Sequence, residues 1–216
     1  LNRKNNERRI ETLFVDVGGV LLSNGWDHLA RRRAAVRYKL DWAEMENRHR
    51  LVFEIYERGR LTLDEYLDLV VFDRPRRFSR AGFRRFMFAQ SHRLPGMIGF
   101  IRRIKRRHRL KVVVVSNEAR ELNAHRIGAF GLKEFVDAFI SSCFVRARKP
   151  DQEIFKLALD VAQQDVRRIL FIDDTPMFVH AAEKLGIRGV HHTDYASTRK
   201  KLAVLGLTDP EEFPSS

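Results

Sequence analysis

Three short runs of β-branched and aromatic residues each end on a polar side chain. They are "TLFVD", ending at Asp16, "KVVVVS", ending at Ser116, and "RILFIDD", ending at Asp173 and Asp174. Continuous apolar runs of this length suit strands that are buried on both faces. We read strands over residues 12–17, 111–115 and 168–172, with weaker ones at 138–142 ("AFISS") and 187–192 ("IRGVHH"). Helical periodicity falls between them, over 97–108, 119–129, 151–163 and 176–185, and Gly186 is a stop signal before the last strand. Strand and helix alternate, so the economical architecture is an α/β fold. It consists of a parallel sheet with right-handed crossovers and helices on both faces.

Residues 26–92 break that alternation. They hold no good strand, and helical patterns lie near 26–39, 42–57, 62–71 and 79–89. Thr62 followed by Glu65 has the spacing of a capping box and marks the third start. "DRP" at 73–75 interrupts the stretch. An all-helical insertion therefore follows the first strand. The expected division is a core of residues 1–22 and 93–216 with an inserted unit of residues 23–92. The tail "TDPEEFPSS" reads as a loose terminus.

Composition narrows the function classes. The longest apolar runs fall far short of the roughly 20 residues of a membrane span, so no membrane partner is expected. The polar start "LNRKNNERRIE" does not read as a secretory signal. The single cysteine, Cys143, allows no intrachain disulfide and suits a reducing compartment, so a cytoplasmic location is expected. Cys143 follows an apolar stretch and reads as a buried structural thiol.

The net charge of +13 raises the question of a nucleic-acid partner. In "MIGFIRRIKRRHRL", however, Met97, Ile98, Ile101 and Ile104 fall at helical spacing and the arginines fill the other positions. "RRR" at 31–33 sits in a similar pattern. The basic residues therefore read as solvated helix faces, and the aromatics lie at core spacing rather than as stacking platforms. Nucleic acid is the disfavoured partner. The sequence carries no signal for oligomeric state.

In open parallel sheets the ligand site lies beyond the carboxyl ends of the strands. Asp16, Ser116 and Asp173–Asp174 should therefore converge, joined by Asn117 and by Lys149 from the loop "RARKPD". Carboxylates at strand ends suit a hard cation such as Mg²⁺, and an ammonium with a hydroxyl suits an anion beside it. The simpler alternatives are a turn cap at Asp16, a helix cap at Ser116, a surface role for Lys149 and a cap at Asp173–Asp174 before Pro176. A carboxylate that ends a buried strand is costly without a charged partner, which argues against the first. His191 and His192 are adjacent on a strand and face opposite ways, so they do not read as a metal pair. Trp26, His28, His49 and Arg146 are candidates for shaping a substrate pocket.

"FVDVGGVLL", "VVVVSN", "RKPD" and "ILFIDDTPMFVHAAEKLGI" resemble, in order and spacing, the four motifs of the haloacid dehalogenase superfamily. The resemblance covers roughly residues 12–192. It implies a Rossmann-like core, and the insertion resembles that superfamily's helical cap. Most members are Mg²⁺-dependent phosphatases acting through an aspartyl-phosphate, and a smaller group removes halide from 2-haloacids without metal. The resemblance implies that Asp16 is the nucleophile and that Lys149 pairs with both Asp16 and the phosphoryl group. It also implies that Ser116 and the backbone at Asn117 hold phosphoryl oxygens. The metal ligands would be Asp16, the Gly18 carbonyl, Asp174 and, directly or through water, Asp173. The implied substrate is a small phosphorylated metabolite.

One residue departs from the pattern. Most phosphatases of the superfamily carry a second aspartate two positions after the nucleophile, as general acid and base. This chain has Gly18 there. Three consequences are open: substrates with better leaving groups, a proton supplied by Asp27 or His28, or a protein that binds phosphorylated ligands with little turnover. Halide release is less favoured, because members with that chemistry usually carry a bulky aromatic at this position and lack an acidic pair like 173–174.

Overall fold

The computed structural model describes residues 9–209. Five parallel strands form one sheet in the order β3-β2-β1-β4-β5: β1 (Thr12–Val15), β2 (Lys111–Ser116), β3 (Ala138–Ser141), β4 (Ile169–Asp173) and β5 (Arg188–His191). The strand with Asp16 at its end is central, flanked by β2 and β4 in one register: Phe14 is level with Val113 on one side and Phe171 on the other. Asp16 and the ends of β2 and β4 are thereby brought to the same edge.

Side chains alternate across the sheet, which is why the runs are apolar throughout. Leu13, Val15, Val112, Val114, Leu170 and Ile172 face one layer with the helix α5 (Met97–His108). Phe14, Val113, Val115 and Phe171 face the opposite layer, against α8 (Gln152–Ala162) and α9 (Pro176–Glu183). In α5, Met97, Phe100, Ile101 and Ile104 are buried, and Ile98 packs partly. Both faces are covered, as the alternation of strand and helix requires.

The insertion between β1 and β2 is helical. Its elements are α1 (His28–Tyr38), α2 (Trp42–Glu57), α3 (Leu63–Val70) and α4 (Arg80–Phe88). Every one of these starts on a side-chain cap: Asp27, Asp41, Thr62 and Ser79 accept backbone N–H groups of the first turn. At Thr62 the capping box is complete, with Glu65 accepting the Thr62 N–H at 2.7 Å. The four helices enclose an aromatic cluster of their own around Phe83, which touches Trp26, Tyr38, Phe72, Phe78 and Phe86. This core extends onto Ala119 and Leu122, at the start of α6 (Arg120–Ala129), so the insertion rests on the edge of the sheet domain.

Element ends shift by one or two residues from the sequence reading, and three pieces differ more. Ser142, expected in the third strand, starts the short helix α7 (Ser142–Val145). A last helix, α10 (Tyr195–Val204), was not anticipated because its apolar residues show little helical periodicity; Asp194 caps it. Arg31, read as part of a solvated face, is buried and bonded to Glu46 at 2.8 and 2.9 Å. The expected loose tail lies, from residue 210 on, outside the described residues.

Because Phe83 centres an aromatic cluster separate from the two sheet layers, Phe83→Ala should cost about 3–5 kcal/mol. Hydrogen exchange should place that loss in α1–α4 first, with amides of β1, β2 and β4 keeping parental protection.

Candidate active site

The carboxyl edge of the sheet carries the residues that the strand ends predict. Asp16 follows β1 and is 7% exposed; Ser116 ends β2 and Asp173 ends β4, both fully buried. Lys149, from the loop before α8, is also fully buried. Its Nζ lies 3.0 Å from Asp16 Oδ2 and 2.6 Å from Asp173 Oδ2. Asn117 fixes the lysine loop: its amide donates to the Lys149 carbonyl at 2.9 Å, and its own carbonyl oxygen accepts the Lys149 N–H at 2.8 Å.

Burial alone would push the Lys149 ammonium down, but Asp16 and Asp173 outweigh it and hold its pKa above the ordinary lysine value. Burial and the charge of Asp16 push Asp173 up to about 7, against the pull of Lys149. Two carboxylates so close repel each other, and one ammonium only partly offsets this. The third acid, Asp174, is half-buried and receives only long hydrogen bonds, from Asn24 at 3.3 Å and Thr175 at 3.4 Å. Asp16, Asp173 and Asp174 each offer an oxygen within 4.8 Å of the others. Hard oxygen donors crowded in this way fit a small divalent cation such as Mg²⁺. Asp173 is the more committed of the pair, since its other oxygen accepts the Thr175 N–H at 2.8 Å.

The backbone of the turn after β1 is shaped around these groups. Gly19 has φ +70°, and a Cβ there would lie 1.8 Å from Asp174 Oδ2. Only glycine allows Asp174 to approach the turn so closely.

Ser116 Oγ is buried with no hydrogen-bond partner among the described residues. An orphaned buried hydroxyl is costly and marks a place where a ligand supplies the missing bond. It does not cap α6, whose N-cap position is Ala119. Three helices that start beside this edge, α6, α8 and α9, have no side-chain hydrogen bond at their N-caps. Helix N-termini without a side-chain cap favour anions.

Asp16, Gly18, Ser116 and Asp174 open into a cavity of about 520 Å³ whose far wall comes from the helical insertion. Trp26 and His49 line it, whereas His28 and Arg146 do not. His28 contacts Trp42 and Glu46, and Arg146 donates to the carbonyls of Arg58 and Gly59. Asp27 lines the cavity, but one of its oxygens caps α1 through the Ala30 N–H at 2.7 Å. His191 and His192 separate as expected: one meets the Asp174 carbonyl at 3.1 Å, the other the Thr198 hydroxyl at 2.7 Å. Cys143 is buried, and burial first of all pushes its thiol up to about 12.

Sequence reasoning missed three ion pairs on the cavity wall: the buried pair Arg126–Glu118, and Arg31–Glu46 and Arg148–Glu57, which are part-buried. Glu46 is held down at about 2, chiefly by Arg31. Burial pushes Glu57 and Glu118 up to about 7 despite their arginines. The excess of arginine hid all three pairs. The signal available was Glu118 itself, directly after Ser116 and Asn117.

Known proteins share this fold. A model of the haloacid dehalogenase-like hydrolase family matches residues 10–186. Among solved structures, a HAD family enzyme of Bacteroides thetaiotaomicron in complex with magnesium and inorganic phosphate is 19% identical, with a TM-score of 0.71, covering 86% of this chain and 95% of its own. A protein of Porphyromonas gingivalis described as a predicted HAD-like family hydrolase is 19% identical, with a TM-score of 0.70, over 91% and 97% of the two chains. A dehalogenase is 18% identical, with a TM-score of 0.62, over 84% of each. Comparison with curated proteins gives no match.

His49 lends the cavity wall a pH dependence. Trp26 Nε1 donates to the Tyr66 hydroxyl, which lies 2.9 Å from His49 Nδ1. In the tautomer with Nδ1 unprotonated, His49 accepts the Tyr66 proton, and a protonated ring would reverse that bond. Burial, then Arg31, lower its pKa from 6.5 to about 4. A depressed imidazole pKa means that the unfolded chain binds the extra proton between those values. Stability should therefore fall by roughly 3 kcal/mol as pH drops from about 6.5 to about 4. His49→Phe should flatten this slope in melts taken across that window.

Proposed function

Because the chain belongs to the haloacid dehalogenase-like hydrolase family, we propose that it is a Mg²⁺-dependent phosphatase of small phosphorylated metabolites that works through Asp16. One observation carries the reading. Two carboxylates, Asp16 and Asp174, and an unpartnered buried hydroxyl line one cavity, and a third carboxylate, Asp173, and a buried ammonium, Lys149, stand directly behind Asp16. Acids alone would suit a cation, and the ammonium with the hydroxyl alone would suit an anion. Their combination suits a cation and a phosphoryl group together.

In this reading Asp16 attacks phosphorus through the oxygen not committed to its neighbour. Its other oxygen, Oδ1, accepts the Val17 N–H at 2.7 Å, which fixes the carboxylate's direction. Lys149 offsets the repulsion between the anionic nucleophile and the phosphoryl oxygens. Ser116 Oγ and the backbone N–H at Asn117 hold those oxygens. Asp16, Asp174, the Gly18 carbonyl and Asp173 would hold Mg²⁺. When bound, the ion supplies charge neutralisation to the phosphoryl group. The magnesium and phosphate of the Bacteroides thetaiotaomicron enzyme support the same pairing of ligands here. Within the expected division, the described residues 9–22 and 93–209 form the catalytic core in this reading, and residues 23–92 form the cap that contacts the substrate's leaving group. Gly18 favours a second reading, a phosphate-ligand-binding protein with little turnover, because no carboxylate occupies that position.

Hydrolysis of 4-nitrophenyl phosphate with and without Mg²⁺ separates the two. A phosphatase should show metal-dependent turnover that Asp16→Asn lowers by at least about 10³-fold. Parental activity in Asp16→Asn would exclude the assigned nucleophile. Binding of phosphorylated ligands without turnover would favour the second reading.

A further inference from the structure

Of the three arginine–glutamate pairs on the cavity wall, one sits beside the departure at residue 18. A Cβ built on Gly18 would lie 3.9 Å from Arg126 Nη1 and 2.8 Å from Asn24 Oδ1. Arg126 therefore borders the volume that a side chain at position 18 would use. Its Nη1 binds Glu118 Oε1, its Nη2 binds the Ser23 carbonyl, and its Nε is buried without an acceptor among the described residues. Glu118 is 3% exposed and lines the cavity together with Asp16. Its backbone is fixed as well, since its N–H donates to Ser142 Oγ at 2.9 Å.

The geometry points to Glu118 as the proton donor and acceptor of the reaction, standing in for the carboxylate that Gly18 omits, with Arg126 as its positioning residue. This rests on the phosphatase reading. Arg126 on α6 binds the Glu118 carboxylate, and five further groups act on it or respond to it through charge: Asp16 after β1, Lys149 before α8, Glu57 and Tyr56 on α2, and Cys143 on α7. Burial and Asp16 favour its neutral form and Arg126 its charged form. The balance, about 7, lets it both give and take a proton near neutral pH. The competing carboxylates are worse placed. Asp27 is engaged in capping α1, and Glu57 pairs with Arg148 rather than with the arginine that borders position 18.

The chemistry balances. An Asp16 oxygen forms a bond to phosphorus while the bond from phosphorus to the leaving oxygen breaks. The leaving oxygen keeps the electron pair and takes the proton of Glu118, whose carboxylate is then held by Arg126. In the second half a water oxygen attacks phosphorus and gives a proton to Glu118. The phosphorus–Asp16 bond breaks, the electron pair returns to Asp16, and inorganic phosphate leaves.

The test compares phenyl phosphate, whose leaving oxygen needs a proton, with 2,4-dinitrophenyl phosphate, whose phenolate does not. Both are assayed with Mg²⁺. Glu118→Gln should lose about 10²–10⁴-fold in kcat/KM on phenyl phosphate and far less on the dinitrophenyl ester. With the latter it should show a phenolate burst followed by slow phosphate release, because Glu118 also activates water. Glu118→Asp keeps a charge for Arg126 and should show the same selectivity to a smaller degree, so misfolding of the Gln variant does not decide the matter. Equal losses on both esters, or parental rates in both variants, would overturn the role of Glu118 while Asp16→Asn still tests the nucleophile. A parent without Mg²⁺-dependent turnover would overturn the phosphatase reading and this one with it.

Discussion

The ammonium of Lys149 holds the site together. It is fully buried and touches two carboxylates, Asp16 after β1 and Asp173 at the end of β4. Removing one partner of a buried charge group typically costs about 3–5 kcal/mol, because the remaining charges lose their compensation. Here the cost would be compounded, since Asp16 and Asp173 repel each other across the lysine. The third carboxylate, Asp174, has no such cation among the described residues. The edge of the sheet is thus left with more negative charge than it neutralises internally. A divalent cation and an anion sharing the space would remove both the acid–acid repulsion and the orphaned bond of Ser116. Fold and chemistry depend on the same contact: the lysine can be buried only if the strands deliver its acids.

Much of this was legible in the sequence. Apolar runs that end on Asp16, Ser116 and Asp173–Asp174 could be placed because strands buried on both faces have no polar residues until they reach an edge. Register then followed from topology: Asp16 comes beside β2 and β4 because β1 lies between them. The capping box at Thr62 and the apolar stripe of α5 were local signals, and both are present. What could not be read depends on side chains meeting over long separations. Arg31 looks like its neighbours Arg32 and Arg33, yet it alone turns inward to Glu46. In a chain with 41 basic residues, pattern cannot distinguish a buried arginine from a solvated one. Helix α10 was missed for a related reason, since only Thr198 and Leu202 in it are buried.

The cavity wall shows how the basic composition is used. Arg31 joins α1 to α2 within the insertion, Arg148 joins the lysine loop to Glu57 on α2, and Arg126 joins α6 to the turn after β1. Ser142 Oγ adds a bond to the Glu57 carbonyl, and Glu121 accepts the Leu63 N–H. These bonds position the insertion over the sheet edge and place charged groups inside a pocket that also has Trp26 and Phe53 on its wall. Turn geometry completes the arrangement. Gly19 lets Asp174 lie against the loop, and Gly18 leaves space that Arg126 and Asn24 border. A sequence read for a missing carboxylate at position 18 would not show that another carboxylate, Glu118, faces the same cavity.

The most direct measurement of the central claim is a crystal structure of the protein with Mg²⁺ and trifluoroberyllate, a mimic of a phosphoryl group bound to a carboxylate. The account predicts beryllium attached to Asp16, fluorides facing Ser116 Oγ and Lys149 Nζ, and the metal ligated by Asp16 and Asp174. A fluoroberyllate bound elsewhere, or a metal held without Asp16, would contradict it.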